Sequence, residues 1–182
     1  MYINIITPCT RPENLHIISE SINIPKENYR WIVVFDSLNL PDESNIPNNC
    51  EYYLHQDPTS IFGNSQRNFA LDLVKMGYIY FNDDDTKLHP EFWDNVKDCD
   101  EDFISFAQSL PNHEIRLTGD VIQVGTIDSH NFLVSKNLVG DSKWRSYHYD
   151  SDGYFAVECY EKSKSKKHIN KVLSIYNVLK SQ

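Results

Sequence analysis

The strongest constraint on this chain is an alternation of short apolar runs with helix-like segments, in which three of the runs stop on polar residues. Tyr2 to Ile6, Trp31 to Phe35 and the run from Tyr78 are dense in β-branched and aromatic side chains, as buried strands are. They give way to Thr7, Asp36 and Asp83. Pro12 to Ile22 reads as a helix with proline near its first turn and Leu15, Ile18 and Ile22 on one face. Ser37 to Asn49, rich in Pro, Asn and Asp, reads as a surface loop leading to a short strand at Glu51 to Leu54. Gly63-Asn-Ser opens a second helix with Phe69, Ala70, Leu73 and Val74 on one face, and Gly77 ends it. This β-α-β-β-α-β order predicts an α/β fold with a mostly parallel central sheet flanked by helices. In such sheets ligands bind beyond the carboxyl ends of the strands, so Thr7, Asp36 and Asp83 are expected to gather along one edge.

The second half is less regular. Pro90 to Lys97 reads as a short helix and Phe103 to Ala107 as a strand. Glu114 to Val124 reads as a hairpin around Gly119-Asp120, and Thr126 to Ser135 as a strand. Ser151 to Tyr160 reads as a helix, Lys162 to Lys167 as a solvated basic loop and Val172 to Leu179 as a closing apolar element. A length of 182 residues suits a single compact domain. The net charge of −9 argues against nucleic acid as a partner, because phosphate backbones call for a basic face. Cys9, Cys50, Cys99 and Cys159 show no zinc or thiol-redox spacing and are expected to be reduced. No signal peptide or membrane span is visible, which predicts a cytoplasmic protein.

The chemistry concentrates where the Tyr78 strand runs into Asp83-Asp84-Asp85. Alternate residues of an extended segment share a face, so Asp83 and Asp85 would present hard oxygen ligands to Mn²⁺ or Mg²⁺; the plain alternative is a turn or a helix cap. Departure of a nucleoside diphosphate builds charge that a divalent cation neutralises, and an acceptor hydroxyl needs a base. Asp150-Ser-Asp152, at the start of a helix, would supply that base or act as an ordinary N-cap. Arg67, one turn into the Gly63 helix, would face a diphosphate, and Asp36 would accept a hydrogen bond from a nucleobase. His168 follows the basic loop, where a solvated role is the simpler reading, and Trp144, Tyr147, His148 and Tyr149 offer either a sugar-stacking surface or buried packing.

With those residues in place, the chain resembles the GT-A glycosyltransferases, which have a Rossmann-like sheet. Thr7-Pro-Cys-Thr-Arg11-Pro is similar to the opening strand and turn of that fold, and Asn82-Asp-Asp-Asp85 to its Asp-x-Asp metal motif. Gly63-Asn-Ser-Gln-Arg-Asn-Phe-Ala-Leu71 followed by Tyr-Phe-Asn-Asp-Asp-Asp is similar to the glucuronyltransferase family over roughly the first half of the chain. The resemblance implies a nucleotide-binding half to about residue 88 and an acceptor half beyond it. It implies that Thr7, Pro8 and Arg11 border the nucleotide, that Asp36 contacts uracil, Arg67 the nucleotide, and Asp83 and Asp84 the nucleoside. Asp85 would bind the metal with Asp83, and His168 would stand where GT-A enzymes often carry a third ligand. The membrane anchor and C-terminal catalytic Glu motif of the glucuronyltransferases are not found. Asp150-Ser-Asp152-Gly-Tyr-Phe instead resembles the acidic pair of small inverting bacterial and viral GT-A enzymes, with Asp152 as base. The expectation is a metal-dependent, inverting transferase moving a sugar from a nucleotide-sugar, a UDP-sugar foremost, to a hydroxyl of a glycan or other acceptor. Its alternatives are a GT-A domain that binds without turnover, or a nucleotidyltransferase, for which the glycine-rich loop after the first strand is missing. A haloacid-dehalogenase phosphatase would want Thr where Lys87 stands.

Overall fold

Strand β1 (Ile3–Cys9) is buried along its whole length and pairs in parallel with β2 (Tyr29–Phe35) on one side and β4 (Tyr78–Phe81) on the other. In this computed structural model, which describes residues 1–179, β3 (Glu51–Leu54) adds in parallel to the outside of β2. Between these strands run α1 (Leu15–Ser21), preceded by a 3₁₀ turn at Pro12–Asn14, and α2 (Asn64–Leu73). The parallel half therefore has the predicted order, and its strands need long connections because parallel neighbours cannot be joined by a tight turn: α1 and α2 supply two of them, and a loop with a 3₁₀ turn at Glu43–Asn45 links β2 to β3.

Beyond it come β5 (Lys87–Leu88), α3 (Phe92–Val96), β6 (Phe103–Ser109), β7 (Ile115–Leu117), β8 (Phe132–Ser135), α4 (Lys136–Val139), α5 (Ser151–Lys162) and β9 (Lys166–Ile175). The sheet order is β3-β2-β1-β4-β8-β6-β9-β5, with β7 paired to β6. The later strands mix directions: β8 is antiparallel to β4 and β6, whereas β9 is parallel to β6.

Two apolar layers sandwich the sheet. One packs Leu15 and Ile18 of α1 and Phe92 of α3 against Trp31 and Phe106. The other packs Ala70 and Leu71 of α2 and Phe155 and Cys159 of α5 against Phe81, Phe132 and Trp144. Phe81 meets Trp144 edge-on at 4.8 Å and Phe155 edge-on at 5.6 Å. Such aromatic pairs add about 0.5–1.5 kcal/mol each beyond the area they bury. They fix the segment before α5 beneath the end of β4. All four cysteines are free thiols. Among the described residues no helix is long and apolar enough to cross a membrane.

Three expectations for the second half are corrected. The hairpin turns at 110–114, where Leu110 N–H donates to the Glu114 carbonyl, and β7 returns along β6. Gly119 is not its turn: with φ +74° it lies so close to the Phe106 carbonyl that a Cβ would stand 2.3 Å from the oxygen. The strand expected from Thr126 begins only at Phe132. Asp128 and Asn131 form a reciprocal capping box that winds Ser129–Asn131 into a 3₁₀ turn. The basic loop is shorter than expected, because Lys166 and Lys167 already pair with Phe103 and Ile104 in β9.

Candidate active site

The carboxyl ends of β1, β2 and β4 open onto two adjoining hollows. The smaller, about 310 Å³, is bordered by Pro8, Thr10, Arg11 and Asp36 on the strand ends and by Gly63, Gln66 and Arg67 at the start of α2. The larger, about 510 Å³, holds Asp85, Asp128, His130, Trp144, Asp150 and Asp152. Phe62, Arg67 and Asp83 line both.

Sequence and geometry meet at the start of α2. Gly63 has φ +74°, and a Cβ on it would lie 2.7 Å from the Pro8 side chain, so glycine lets the helix start close over β1. Polar residues at the start of the helix then tie it to two distant segments, one at His55 and one at Trp144–His148. Gln66 donates to the His55 carbonyl, and Asn64 donates to the carbonyls of Arg145 and His148. Asn68 both donates to the Trp144 carbonyl and accepts from its N–H. Arg67 is buried, with its guanidinium 4.5 Å over the Trp144 ring; it donates to the Phe62 carbonyl and forms an ion pair with Asp83.

The three aspartates are used differently. Asp84 is buried and turned toward the β1 turn, accepting from the backbone N–H groups of Thr10 and Arg11. Burial raises its carboxyl, and those two N–H groups with the Arg11 charge offset this only in part. Asp83 lies between Arg67 and His130, whose Nε2 is 3.1 Å from its second oxygen. Burial opposes its charge, yet the attraction of Arg67 and then His130 holds it below the usual carboxylate range. Asp85 faces the larger hollow, paired with the half-buried Arg11 at 2.8 Å, and its carbonyl accepts from Leu179 N–H.

His130 was not singled out from the sequence, where it falls in an expected strand. It is fully buried, with Nδ1 3.1 Å from Asp128 and Nε2 on Asp83. Burial alone would discharge it, but Asp83 and then Asp128 outweigh that and keep the imidazole protonated well above its ordinary range. Asp128 in turn pairs with Arg116, which stacks at 3.9 Å on Tyr176. The one local signal for this group was the Asp128-x-x-Asn131 spacing of a capping box.

Asp152, in the first turn of α5, borders the same hollow. Burial, reinforced by repulsion from Asp128, lifts its carboxyl to about 6, which suits proton transfer near neutral pH. Asp150 at the N-cap position makes no capping hydrogen bond.

Two expected site residues lie elsewhere. β1 runs on to Cys9, three residues past the expected end, so Thr7 is inside the strand and accepts from Trp31 Nε1 at 3.0 Å in the core. His168 sits on β9 opposite Ser105, exposed and hydrogen-bonded to that hydroxyl, outside both hollows. Among the described residues no three His, Cys, Asp or Glu side chains are grouped to hold a metal. Asp83 has both oxygens engaged by cations, which does not suit it as a ligand. Asp85 fits the mode in which Mg²⁺ or Mn²⁺ takes one or two protein carboxylates and fills its shell with substrate phosphates and water.

Neither a family profile nor a curated protein sequence matches this chain. Its architecture is shared with solved glycosyltransferase structures, and the fold is a GT-A-like glycosyltransferase fold. The particular neighbours include TarS of S. aureus, as a 1–349 fragment, with TM-score 0.76, 16% identity and coverage of 96% of this chain and 60% of that one. The same fragment in complex with UDP-GlcNAc aligns with TM-score 0.73 at 16% identity over 100% of this chain and 62% of that one. Mannosyltransferase PcManGT of Pyrobaculum calidifontis, in complex with GDP-Man and Mn²⁺, gives TM-score 0.69 and 11% identity over 98% and 57%. The chain thus spans about three fifths of the length of these neighbours.

Proposed function

We propose that this chain is a glycosyltransferase domain that takes a UDP-sugar and passes the sugar, with inversion, to a hydroxyl of a glycan or other acceptor. The observation that carries the reading is a single hollow in which Asp152, with its carboxyl raised to about 6, shares walls with Asp85 and the buried Arg67. The nucleoside lies in the smaller hollow with its base toward Asp36 and its ribose toward Pro8 and Thr10. Its diphosphate faces Arg67 and the first backbone N–H groups of α2. A divalent ion, Mn²⁺ or Mg²⁺, held by Asp85 and the diphosphate, would stabilise the charge that develops on the leaving group.

Asp152 takes the proton of the acceptor hydroxyl as its oxygen bonds to the anomeric carbon. The bond from that carbon to the diphosphate oxygen breaks, and UDP leaves with the electron pair. In this single displacement the acceptor oxygen attacks from the face opposite the leaving group, so the anomeric configuration inverts. His130 and Arg67 hold Asp83 ionised and fixed, so Asp83 orders the floor between the two hollows rather than moving a proton.

The test is a thermal-shift series with UDP and GDP, each with Mn²⁺, Mg²⁺ or chelator, joined to an assay of UDP release from UDP-GlcNAc. A metal-dependent shift with UDP is expected. The absence of any nucleotide shift would overturn the reading, and a shift with GDP alone would reassign the donor.

A further inference from the structure

Two large aromatic side chains stand out into the mouth of the larger hollow, and nothing in the packing of the protein accounts for them. Phe62 is 62% exposed and Tyr149 is 77% exposed, yet their rings meet edge to face at 5.1 Å. Phe62 also holds φ +54°, a left-handed conformation that costs a bulky side chain of order 1 kcal/mol and tends to mark functional positions. The conformation is enforced: its carbonyl accepts from Arg67 at 2.6 Å, and the next residue is Gly63, closely packed on Pro8. The Tyr149 side is held by the same helix, since Asn64 donates to the carbonyls of Arg145 and His148. Both rings are thus mounted on the frame that carries Arg67 and face the space where Asp152 works.

We propose that Phe62 and Tyr149 form a platform for the sugar ring of the acceptor, and hence that the acceptor is a pyranoside. This rests on the glycosyltransferase reading above and names the acceptor class it left open. The C–H groups on one face of a pyranose carry partial positive charge and are apolar, which matches the negative face of an aromatic ring. The ring's hydroxyls point outward from that contact, toward carboxylates and guanidinium groups, of which this hollow has several. Phe62 borders both hollows, but Tyr149 borders only the one with Asp152. The hydroxyl to be deprotonated must come within hydrogen-bond reach of Asp152, and Tyr149 lies three residues before it, which assigns the platform to the acceptor and not to the donor sugar. Of the other aromatic residues of this segment, Trp144 is core packing, and Tyr147 and His148 border neither hollow.

The experiment is ligand-observed NMR on the UDP-loaded protein with methyl glucoside, methyl galactoside and methyl N-acetylglucosaminide, with glycerol as a polyol lacking a ring. At least one pyranoside is expected to bind saturably in the millimolar range through its ring protons, and glycerol is not. Tyr149→Ala and Phe62→Ala should each weaken that binding about tenfold or more, Tyr149→Phe should retain it, and Tyr149→Ala should leave UDP affinity within about twofold. The exposure of Tyr149 means its truncation spares the fold. Equal pyranoside affinity in Tyr149→Ala, or a parallel loss of UDP affinity, would overturn the assignment. Binding of UDP but of no pyranoside by the unaltered protein would overturn it alone, whereas failure to bind UDP would remove the glycosyltransferase reading beneath it.

Discussion

Asp152, the proposed base, combines a cost to the fold with a protonation range suited to that role. Its carboxyl stands near 6 in the folded chain because burial and Asp128 disfavour the charge, against about 3.9 for a free side chain. The folded state therefore binds this proton more tightly than the unfolded state. That stabilisation is complete below about pH 4 and is lost as pH rises through about 6. At pH 8 the ionised group costs about 1–3 kcal/mol, so Asp152→Asn is expected to melt a few degrees higher than the parent while losing transfer by a factor of about 10³. A variant that is inactive and also less stable at pH 8 would contradict the assignment. The same carboxyl sets the pH profile: kcat/KM should fall about tenfold per unit below pH 6, and Asp152→Asn should flatten that limb. Asp85 makes a separable prediction. Asp85→Ala should abolish the Mn²⁺-dependent part of UDP affinity and leave the metal-free part, read by titration with and without chelator. Unchanged Mn²⁺ dependence would move the ion elsewhere.

At the scale of elements, the first turn of α2 organises the site, and it depends on a residue with no side chain. Gly63→Ala would both hold alanine at φ +74° and press a methyl against Pro8 at 2.7 Å. A loss of about 1–3 kcal/mol is expected, together with weaker UDP affinity because Pro8 forms a wall of the smaller hollow, the proposed nucleotide site. A melting temperature and UDP titration equal to the parent's would refute the close approach. This helix and the strands around it were legible in the sequence because their signals are local: apolar period, Gly63 before the helix, Gly77 after it. The tying roles of Gln66 and Asn68 were not, since their partners at His55 and Trp144 become neighbours only in the fold. The stretch from 114 to 131 departs from its local pattern for a related reason. Gly119 answers to the Phe106 carbonyl, and the capping box at Asp128 overrides an apolar run that would otherwise extend as strand. Misplacing that boundary hid His130, and ending β1 too early put Thr7 at the sheet edge instead of in the core. His168 is a ligand candidate only by the family resemblance; β9 pairs with β6 and leaves it exposed outside both hollows, as its solvated reading had it, and that long-range pairing is one no local pattern announces.

Across the whole molecule, the site is closed by residues nearly a hundred positions beyond the aspartates. After β9, the chain turns so that Tyr176 N–H donates to the Ser109 carbonyl, Tyr176 receives the Arg116 guanidinium on its ring, and Leu179 N–H donates to the Asp85 carbonyl. Asn14 donates to the carbonyls of both Asp84 and Leu179, which joins the first helical turn to this closing segment across the acidic cluster. Asp85 is therefore positioned by three separate stretches: β4, which leads into it, the Arg11 turn, and residues 176–179. Removing the last of these tests whether that arrangement matters for binding. A chain ending at Ile175 keeps every described strand and helix, so its circular dichroism should match the parent's. Its Asp85 loses a backbone anchor, and Arg116 loses a cation–π contact of about 0.5–2 kcal/mol. UDP with Mn²⁺ at about a hundred times its Kd stabilises the parent by about 2.7 kcal/mol, and a tenfold weaker site would leave about 1.4. For a domain of this size the ligand-induced rise in Tm should therefore drop to about half. A full-sized rise in the shortened chain would show that β4 and the Arg11 turn alone set the geometry of Asp85.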